Sequence, residues 1–199
     1  MDKPFTIRLA NIADAKQILA VYAPFVTDSI ISFEYEVPTL DDFENRLQTV
    51  AAEYPWLVVE SGNEIVGYAY GGKHRGRTAY NWSVESTIYL AESVHGKGLA
   101  RVIYISLLDC LRHLGYANAY AGITLPNPKS QKFHASMGFQ PIGTFKNIGY
   151  KFGKWHDTHW MQKDLIKHAL EPKKPIRMDE LEDRSEINLI LDQANAGLR

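Results

Sequence analysis

Two features combine residue types and spacing that could do chemistry: a carboxylate at Glu85, and the run His95-Gly-Lys-Gly-Leu-Ala-Arg101 that follows it. A carboxylate can take a proton from an amine, provided that the amine is held beside it. Glycines at 96 and 98, just ahead of an apolar helical pattern, let successive backbone N–H groups converge without Cβ obstruction. The helix N-terminus adds partial positive charge, so the loop suits a pyrophosphate and points to a nucleotide-like cofactor. A dinucleotide fingerprint would need a third glycine at Arg101, and a Walker loop would need Gly-Lys followed by Ser or Thr; Gly98 is followed by Leu99, so neither pattern is met. A third feature is the stretch Gly71–Trp82, which gathers Lys73, His74, Arg75 and Arg77 and is the best candidate for an anion site.

The surrounding pattern supplies elements to position these groups. Val84 and Thr87–Leu90 are β-branched, aromatic or apolar and read as a strand leading into the glycine loop. After the loop, Leu99, Ile103, Leu107, Cys110, Leu111 and Leu114 follow a 3.6-residue period, and Gly115 suits the residue that ends the helix. Upstream, Thr6–Leu9 reads as a strand, Ile12 to Tyr22 as a helix limited by Pro24, and Thr39 as the cap of a helix carrying Leu40, Phe43, Leu47 and Val50. Pro55 closes that helix, and Trp56–Glu60 and Ile65–Tyr70 form a hairpin around Ser61–Glu64. Downstream lie a strand at Tyr116–Thr124, a turn at Pro126–Ser130, and a short helix through Phe133 and Met137. Phe139–Phe145 and His159–Leu165 make a closing strand pair with Gly149–His156 between them. This order predicts an α/β domain over residues 1–165, a mixed sheet with helices on both faces. Residues 166–199 read as a charged, partly helical extension with Ile187, Ile190, Leu191 and Ala194 on a narrow stripe, better suited to packing on its own domain than to holding a partner.

Composition narrows the function classes. A chain of 199 residues with 45% hydrophobic content can bury one ordinary core, and a formal charge of -1 gives no electrostatic reason to propose nucleic acid. The amino-terminal stretch Met1–Arg8 has no apolar leader, no run reaches membrane-spanning length, and a single cysteine allows no internal disulfide. A soluble cytoplasmic protein is expected. Cys110 lies on the apolar stripe and reads as core, so a covalent route has no obvious nucleophile. His74, His156 and His159 match no metal-binding pattern, and no metal is expected.

His95–Ala100 resembles the Gln/Arg-x-x-Gly-x-Gly/Ala signature of the GNAT superfamily of N-acetyltransferases, with His95 at the usual Gln or Arg position. Over residues 6–165 the chain resembles, more narrowly, the phosphinothricin N-acetyltransferase family, which includes enzymes for methionine sulfoximine and methionine sulfone. Tyr54-Pro-Trp-Leu57, Ala79-Tyr-Asn-Trp82, Glu85-Ser-Thr87, Gly98-Leu-Ala100, Leu125-Pro-Asn127 and Trp155-His-Asp157 carry that resemblance. It implies a GNAT-type, mostly antiparallel central sheet, acetyl-CoA as cosubstrate, and direct acetyl transfer to the amino group of a small amino acid analogue. It further implies a homodimer.

The resemblance also assigns roles. Glu85 would act as base, through a water, while the backbone of Ile88, Tyr89 and Leu90 would pair with the pantetheine arm as an added strand would. Gly96, Lys97, Gly98, Leu99, Ala100 and Arg101 would hold the pyrophosphate, mainly through amides; the side chains of Lys97 and Arg101 could equally be ordinary solvated charges. Asn127 and Ser130 could cap the turn or reach the cofactor. His134 stands where the superfamily often has a tyrosine that protonates the departing thiolate, and a plain helix-face histidine is the alternative. For the acceptor, Arg75 and Arg77 offer guanidinium forks, and Phe33 and Tyr80 offer walls. Two other readings stay open: a superfamily member acting on a polyamine, a drug or a protein N-terminus, and a non-catalytic acyl-CoA-binding module.

Overall fold

The computed structural model describes residues 5–198, so the first residues of the amino-terminal stretch lie outside it. Seven strands form one sheet: β1 (Phe5–Leu9), β2 (Trp56–Ser61), β3 (Glu64–Lys73), β4 (Ser83–Leu90), β5 (Asn118–Thr124), β6 (Gln140–Lys151) and β7 (Lys154–Asp164). Their order across the sheet is β1-β2-β3-β4-β5-β7-β6. Every neighbouring pair is antiparallel except β4 and β5, which run parallel.

The unbroken apolar run Trp56–Val59 makes sense once both faces of the sheet are covered, because strand alternation sends successive side chains to opposite sides. Trp56 and Val58 pack with Ile18, Tyr22 and Val26 of helix α1 (Ala15–Thr27) and with Phe43 and Leu47 of α2 (Leu40–Glu53). Leu57 and Val59 join the other cluster, with Ile103, Leu107 and Leu111 of α3 (Leu99–His113). Thr39 caps α2 as its type predicts, its hydroxyl accepting from the Asp42 amide at 3.2 Å.

In two places the fold departs from the sequence pattern. Helix α1 does not stop at Pro24 but continues to Thr27 with the proline inside it. The proline forfeits one intrahelical bond, and burial of Tyr22 and Val26 on either side of it offsets that loss. The closing hairpin is also longer than the alternation suggests: residues 149–156 are its tip, not an insertion between two short strands. A register shift between Phe145 and Gly149 obscures the period. There Asn147 takes φ 51°, and Asp157 accepts from the Asn147 amide at 2.9 Å and from Lys146 Nζ at 2.8 Å.

Beyond β7 the chain stays on the domain. Ile187 and Leu191 of α5 (Ser185–Ala196) are buried in the same cluster as α3, each contributing on the order of 2 kcal/mol. Asn195 then bonds both the amide and the carbonyl of Ile7, at 2.7 and 3.0 Å, occupying part of the outer edge of β1. No described helix is long and apolar enough to cross a membrane.

Candidate functional site

The one parallel pair in the sheet creates the site. β4 and β5 pair only over Ser83–Glu85 and Asn118–Tyr120, although β4 runs on to Leu90 and β5 to Thr124. Beyond Glu85 the two strands part. The last bridge across is Ser86, whose hydroxyl donates to the Tyr120 carbonyl at 3.1 Å and lies 2.7 Å from the buried Tyr104 hydroxyl. Strand alternation fixes which backbone groups face the gap. The Trp82 carbonyl accepts from Ala117 and Asn118 of the β5 segment, and the Ala91 amide donates to Val66 beside β3. Residues 84, 86, 88 and 90 therefore turn their backbone groups toward the gap, and Tyr89 turns its own toward β3. Of the three residues expected to pair with an extended ligand, Ile88 and Leu90 face it and Tyr89 does not.

At the far end of β4 the glycine loop takes the form its composition requires. Gly96 and Gly98 both have φ +79°, and a Cβ built on either would meet nothing within 4 Å. Gly98 is the residue preceding the first turn of α3. Among the described residues, none of the amides from Gly96 to Ala100 donates to a backbone carbonyl, so they form an open cradle backed by the helix N-terminus. His95 ties the cradle to the strand through Nε2, 3.2 Å from the Leu90 carbonyl. Lys97 Nζ lies 5.3 Å from the Phe5 ring centroid, and an Arg101 guanidinium nitrogen lies 3.7 Å from Met137 Sδ.

Between cradle and bridge lies a slot of about 120 Å³ that includes Ser86, Ile88, Tyr89, Asn127, Ser130 and His134 in its lining. Asn127 caps helix α4 (Pro128–Ser136), its side-chain oxygen accepting from the Ser130 amide at 3.1 Å. His134 is 4% exposed, packed edge-on to Tyr104, Phe133 and Phe139. Its Nδ1 lies 2.9 Å from the Ser130 carbonyl, and a carbonyl can only accept, so Nδ1 carries the proton. Burial pushes the ring's pKa down. The neutral ring thus keeps Nε2 as an acceptor, and in this tautomer His134 has no proton to give a departing thiolate.

Glu85 sits where the gap closes. It lines a cavity of about 620 Å³ together with His74, Arg75, Tyr80, Tyr120, Phe145 and Trp160. It also lines an adjoining cavity of about 410 Å³ that carries Ile31, Phe33 and Thr87. Burial raises the pKa of its carboxyl, while a hydrogen bond from His74 and the charge of Arg75 pull it down. His74 Nδ1 is 3.0 Å from Glu85 Oε1, with the two side chains 12% and 41% exposed. The imidazole is stacked on Tyr120 at 4.3 Å and 8° and meets Trp160 edge-on. A half-buried carboxylate with an oriented donor can accept a proton and stay in place while doing so.

Of the residues expected at the acceptor end, Arg75, Tyr80 and Phe33 line these cavities. The Arg75 guanidinium stands 5.6 Å from the Tyr80 ring centroid. Arg77 is exposed, precedes the single turn Thr78–Tyr80, and is not among the lining side chains. Cys110 is buried, with its thiol pushed up to about 12. His74, read in sequence as part of the basic stretch Gly71–Trp82 and as one of three scattered histidines, is Glu85's partner. The signal lies in the register, since Gly72 of β3 pairs with Glu85 and His74 follows just past the strand end. Lys151 was also missed: at 2% exposed it donates to the carbonyls of Val26 and Ser32, both at 2.7 Å, and so clamps the segment that carries Ile31 and Phe33. Among the described residues no three His, Cys, Asp or Glu side chains gather as a metal site.

Known proteins are similar to this chain in sequence and fold. The model of the acetyltransferase (GNAT) domain matches residues 7–160. A phosphinothricin N-acetyltransferase of Streptomyces viridochromogenes is 34% identical over 88% of this chain and 94% of its own. An L-methionine sulfoximine/L-methionine sulfone acetyltransferase of Salmonella typhimurium is 33% identical over 82% of this chain and 96% of its own. Among solved structures, a phosphinothricin acetyltransferase from Sinorhizobium meliloti in complex with acetyl-CoA superposes with a TM-score of 0.83, at 31% identity, over 89% of this chain and 98% of that one.

Proposed function

This chain belongs to the GNAT acetyltransferase family, and on that premise we propose that it transfers the acetyl group of acetyl-CoA directly to the amino group of a small amino acid analogue of the phosphinothricin or methionine sulfoximine type. Acetyl-CoA supplies an acyl group activated as a thioester. The residues present fit it: an open amide cradle at 96–100 for the diphosphate, and the backbone of Ile88 and the amide of Leu90 facing the gap to pair with the pantetheine arm, while the Leu90 carbonyl lies against His95. Asn127 and Ser130, at the slot wall, would hydrogen-bond the same arm.

An α-amino group of pKa about 8 is largely protonated at neutral pH and cannot attack until it loses that proton. Glu85 accepts it, directly or through a water, with His74 holding the carboxylate toward the cavity. Arg75 receives the acceptor's carboxylate or tetrahedral anionic group, and Phe33 and Tyr80 exclude water around it. His134 shapes the slot as a neutral acceptor, which leaves protonation of the departing sulfur to solvent. We assign this chemistry to residues 1–165. A homodimer through the free edge of β6 is part of the reading, since the β6–β7 hairpin exposes Ile142, Phe145, Ile148, Phe152 and Trp155.

The observation that carries the proposal is Glu85, oriented by His74 where the acceptor cavity meets the opened edge of β4. The test is acetyl-CoA turnover on phosphinothricin, methionine sulfoximine, methionine sulfone and a set of polyamines, with wild type and Glu85→Gln. Turnover of these amino acid analogues, falling about 100-fold or more in the variant with acetyl-CoA affinity unchanged, is expected. Turnover of polyamines alone, or full activity of Glu85→Gln at neutral pH, refutes it.

A further inference from the structure

The segment that follows the catalytic strands is stitched down beside the acceptor cavity. The Trp82 indole donates to the Lys173 carbonyl at 2.7 Å, and the Ile176 amide donates to Leu114 at 2.9 Å. The Asp179 amide donates to Ala52 at 2.9 Å, and Arg177 meets Glu53 at 3.2 Å. Lys174 is thereby fixed against the loop that ends β3. Together they enclose a second, smaller cavity of about 210 Å³, whose lining includes Lys73, Arg75, Lys174 and Arg177.

The charge in this cavity is lopsided. Its only lining carboxylate is Glu53, already engaged by Arg177, which also forks onto Asp179 at 2.9 and 2.8 Å. Among the described residues, Lys73, Arg75 and Lys174 have no carboxylate partner. The wall adds the side chains of Tyr54 and Tyr116, with buried rings, and of Asn81 and Ser83. Cations without an ion-pair partner, Lys174 on an anchored segment and Lys73 and Arg75 across from it, with hydroxyl and amide donors beside them, favour an ion with several oxygens, although Arg75 also acts on Glu85. Arg75 and Tyr80 line both this cavity and the larger one containing Glu85, so the two are neighbours sharing a wall.

We propose that the C-terminal segment completes a second anion site, which takes a compact oxyanion of the phosphate or phosphonate class. Two sources share that chemistry: a free ion acting on the enzyme, or a terminal anionic group of the acceptor that reaches past Arg75. Only the second source rests on the acetyltransferase reading.

Calorimetry on the full chain with inorganic phosphate, at ionic strength held constant with sodium chloride, tests the site. Saturable binding is expected, weakened about tenfold or more by Lys174→Glu and by Lys73→Glu. Both lysines are exposed, and unchanged melting temperatures in phosphate-free buffer would show that the fold is intact. The glycine loop could also take phosphate, but neither variant touches it, so the difference between proteins reports on this cavity alone. Equal phosphate binding by wild type and both variants overturns the proposal. Steady-state kinetics then separate the sources. With an acceptor pair differing only in a terminal phosphonate or methyl group, a KM gap that closes in Lys174→Glu at unchanged kcat assigns the site to the acceptor. Phosphate binding that persists with saturating acceptor assigns it to a free ion. Failure of every amine to turn over would sink the acetyltransferase reading and leave the phosphate measurement standing.

Discussion

Replacing His74 by phenylalanine isolates the contact on which the proposed chemistry turns. The ring stacked 4.3 Å from Tyr120 is kept, and the bond from Nδ1 to Glu85 Oε1 at 3.0 Å is lost. A hydrogen bond to a charged group contributes about 1.5–3 kcal/mol. Glu85 is 41% exposed, so water takes up part of that loss, and roughly half is a fair discount. About 0.7–1.5 kcal/mol remains, which at 1.36 kcal/mol per pKa unit is a shift of about half to one unit. The direction follows from the opposing causes: burial already raises the Glu85 pKa and His74 holds it down, so removing His74 lets it rise further. A carboxylate base works only above its pKa. The acid limb of kcat/KM for the acceptor should therefore move to higher pH by about half to one unit, with the alkaline limb and the acetyl-CoA affinity unchanged. Thiol release followed across the acid-to-neutral range measures it. An acid limb that stays put, or moves to lower pH, would show that Glu85 is not the titrating base or that His74 does not act on it.

Three further perturbations test other parts of the structure. Because burial raises the Glu85 pKa, the folded state binds that proton more tightly than the unfolded chain, and the ionised carboxylate costs stability above the folded pKa. Glu85→Gln should then melt higher than wild type at neutral pH and lose that advantage in acid; a lower melting temperature at neutral pH contradicts the assigned cause. Gly98→Ala forces a Cβ onto φ +79°, costing about 1–2 kcal/mol in urea unfolding, and it should raise the KM for acetyl-CoA more than it lowers kcat. Lys151→Met leaves the Val26 and Ser32 carbonyls without their donor, a loss of about 2–4 kcal/mol, and frees the segment bearing Phe33 so that the acceptor KM rises. A cost under about 1 kcal/mol for that variant would show that the clamp is replaced by water.

Local pattern was enough for much of this protein. The period of Leu99, Ile103, Leu107 and Leu111, the glycines ahead of it, and the apolar strand before them define a strand, a cradle and a helix whatever the rest of the chain does. Such signals survive in sequence because they depend on residues a few positions apart. Where local preference and long-range packing compete, packing decides: Pro24 ought to end a helix, and the buried face of α1 carries it on to Thr27. The register shift in β6 likewise hides half of a hairpin from a period-two reading.

The site itself is mostly a product of tertiary structure. Parting of β4 from β5 leaves no mark in either strand's composition, yet it opens the slot and leaves the backbone of Ile88 and Leu90, not of Tyr89, facing it. Pairing of β3 with β4 brings His74 to Glu85, and the fold of the loop between them admits Arg75 to the cavity while Arg77 stays outside. Lys174 and Arg177 reach the same neighbourhood from about a hundred residues further along the chain. By itself the sequence determined the chemistry available, a carboxylate, a glycine loop of open amides and a cluster of cations. Which of those groups meet was settled by strand register and by closure of the chain on itself, because contacts between residues far apart in sequence follow from the packing of whole elements and leave no periodic trace in any one of them.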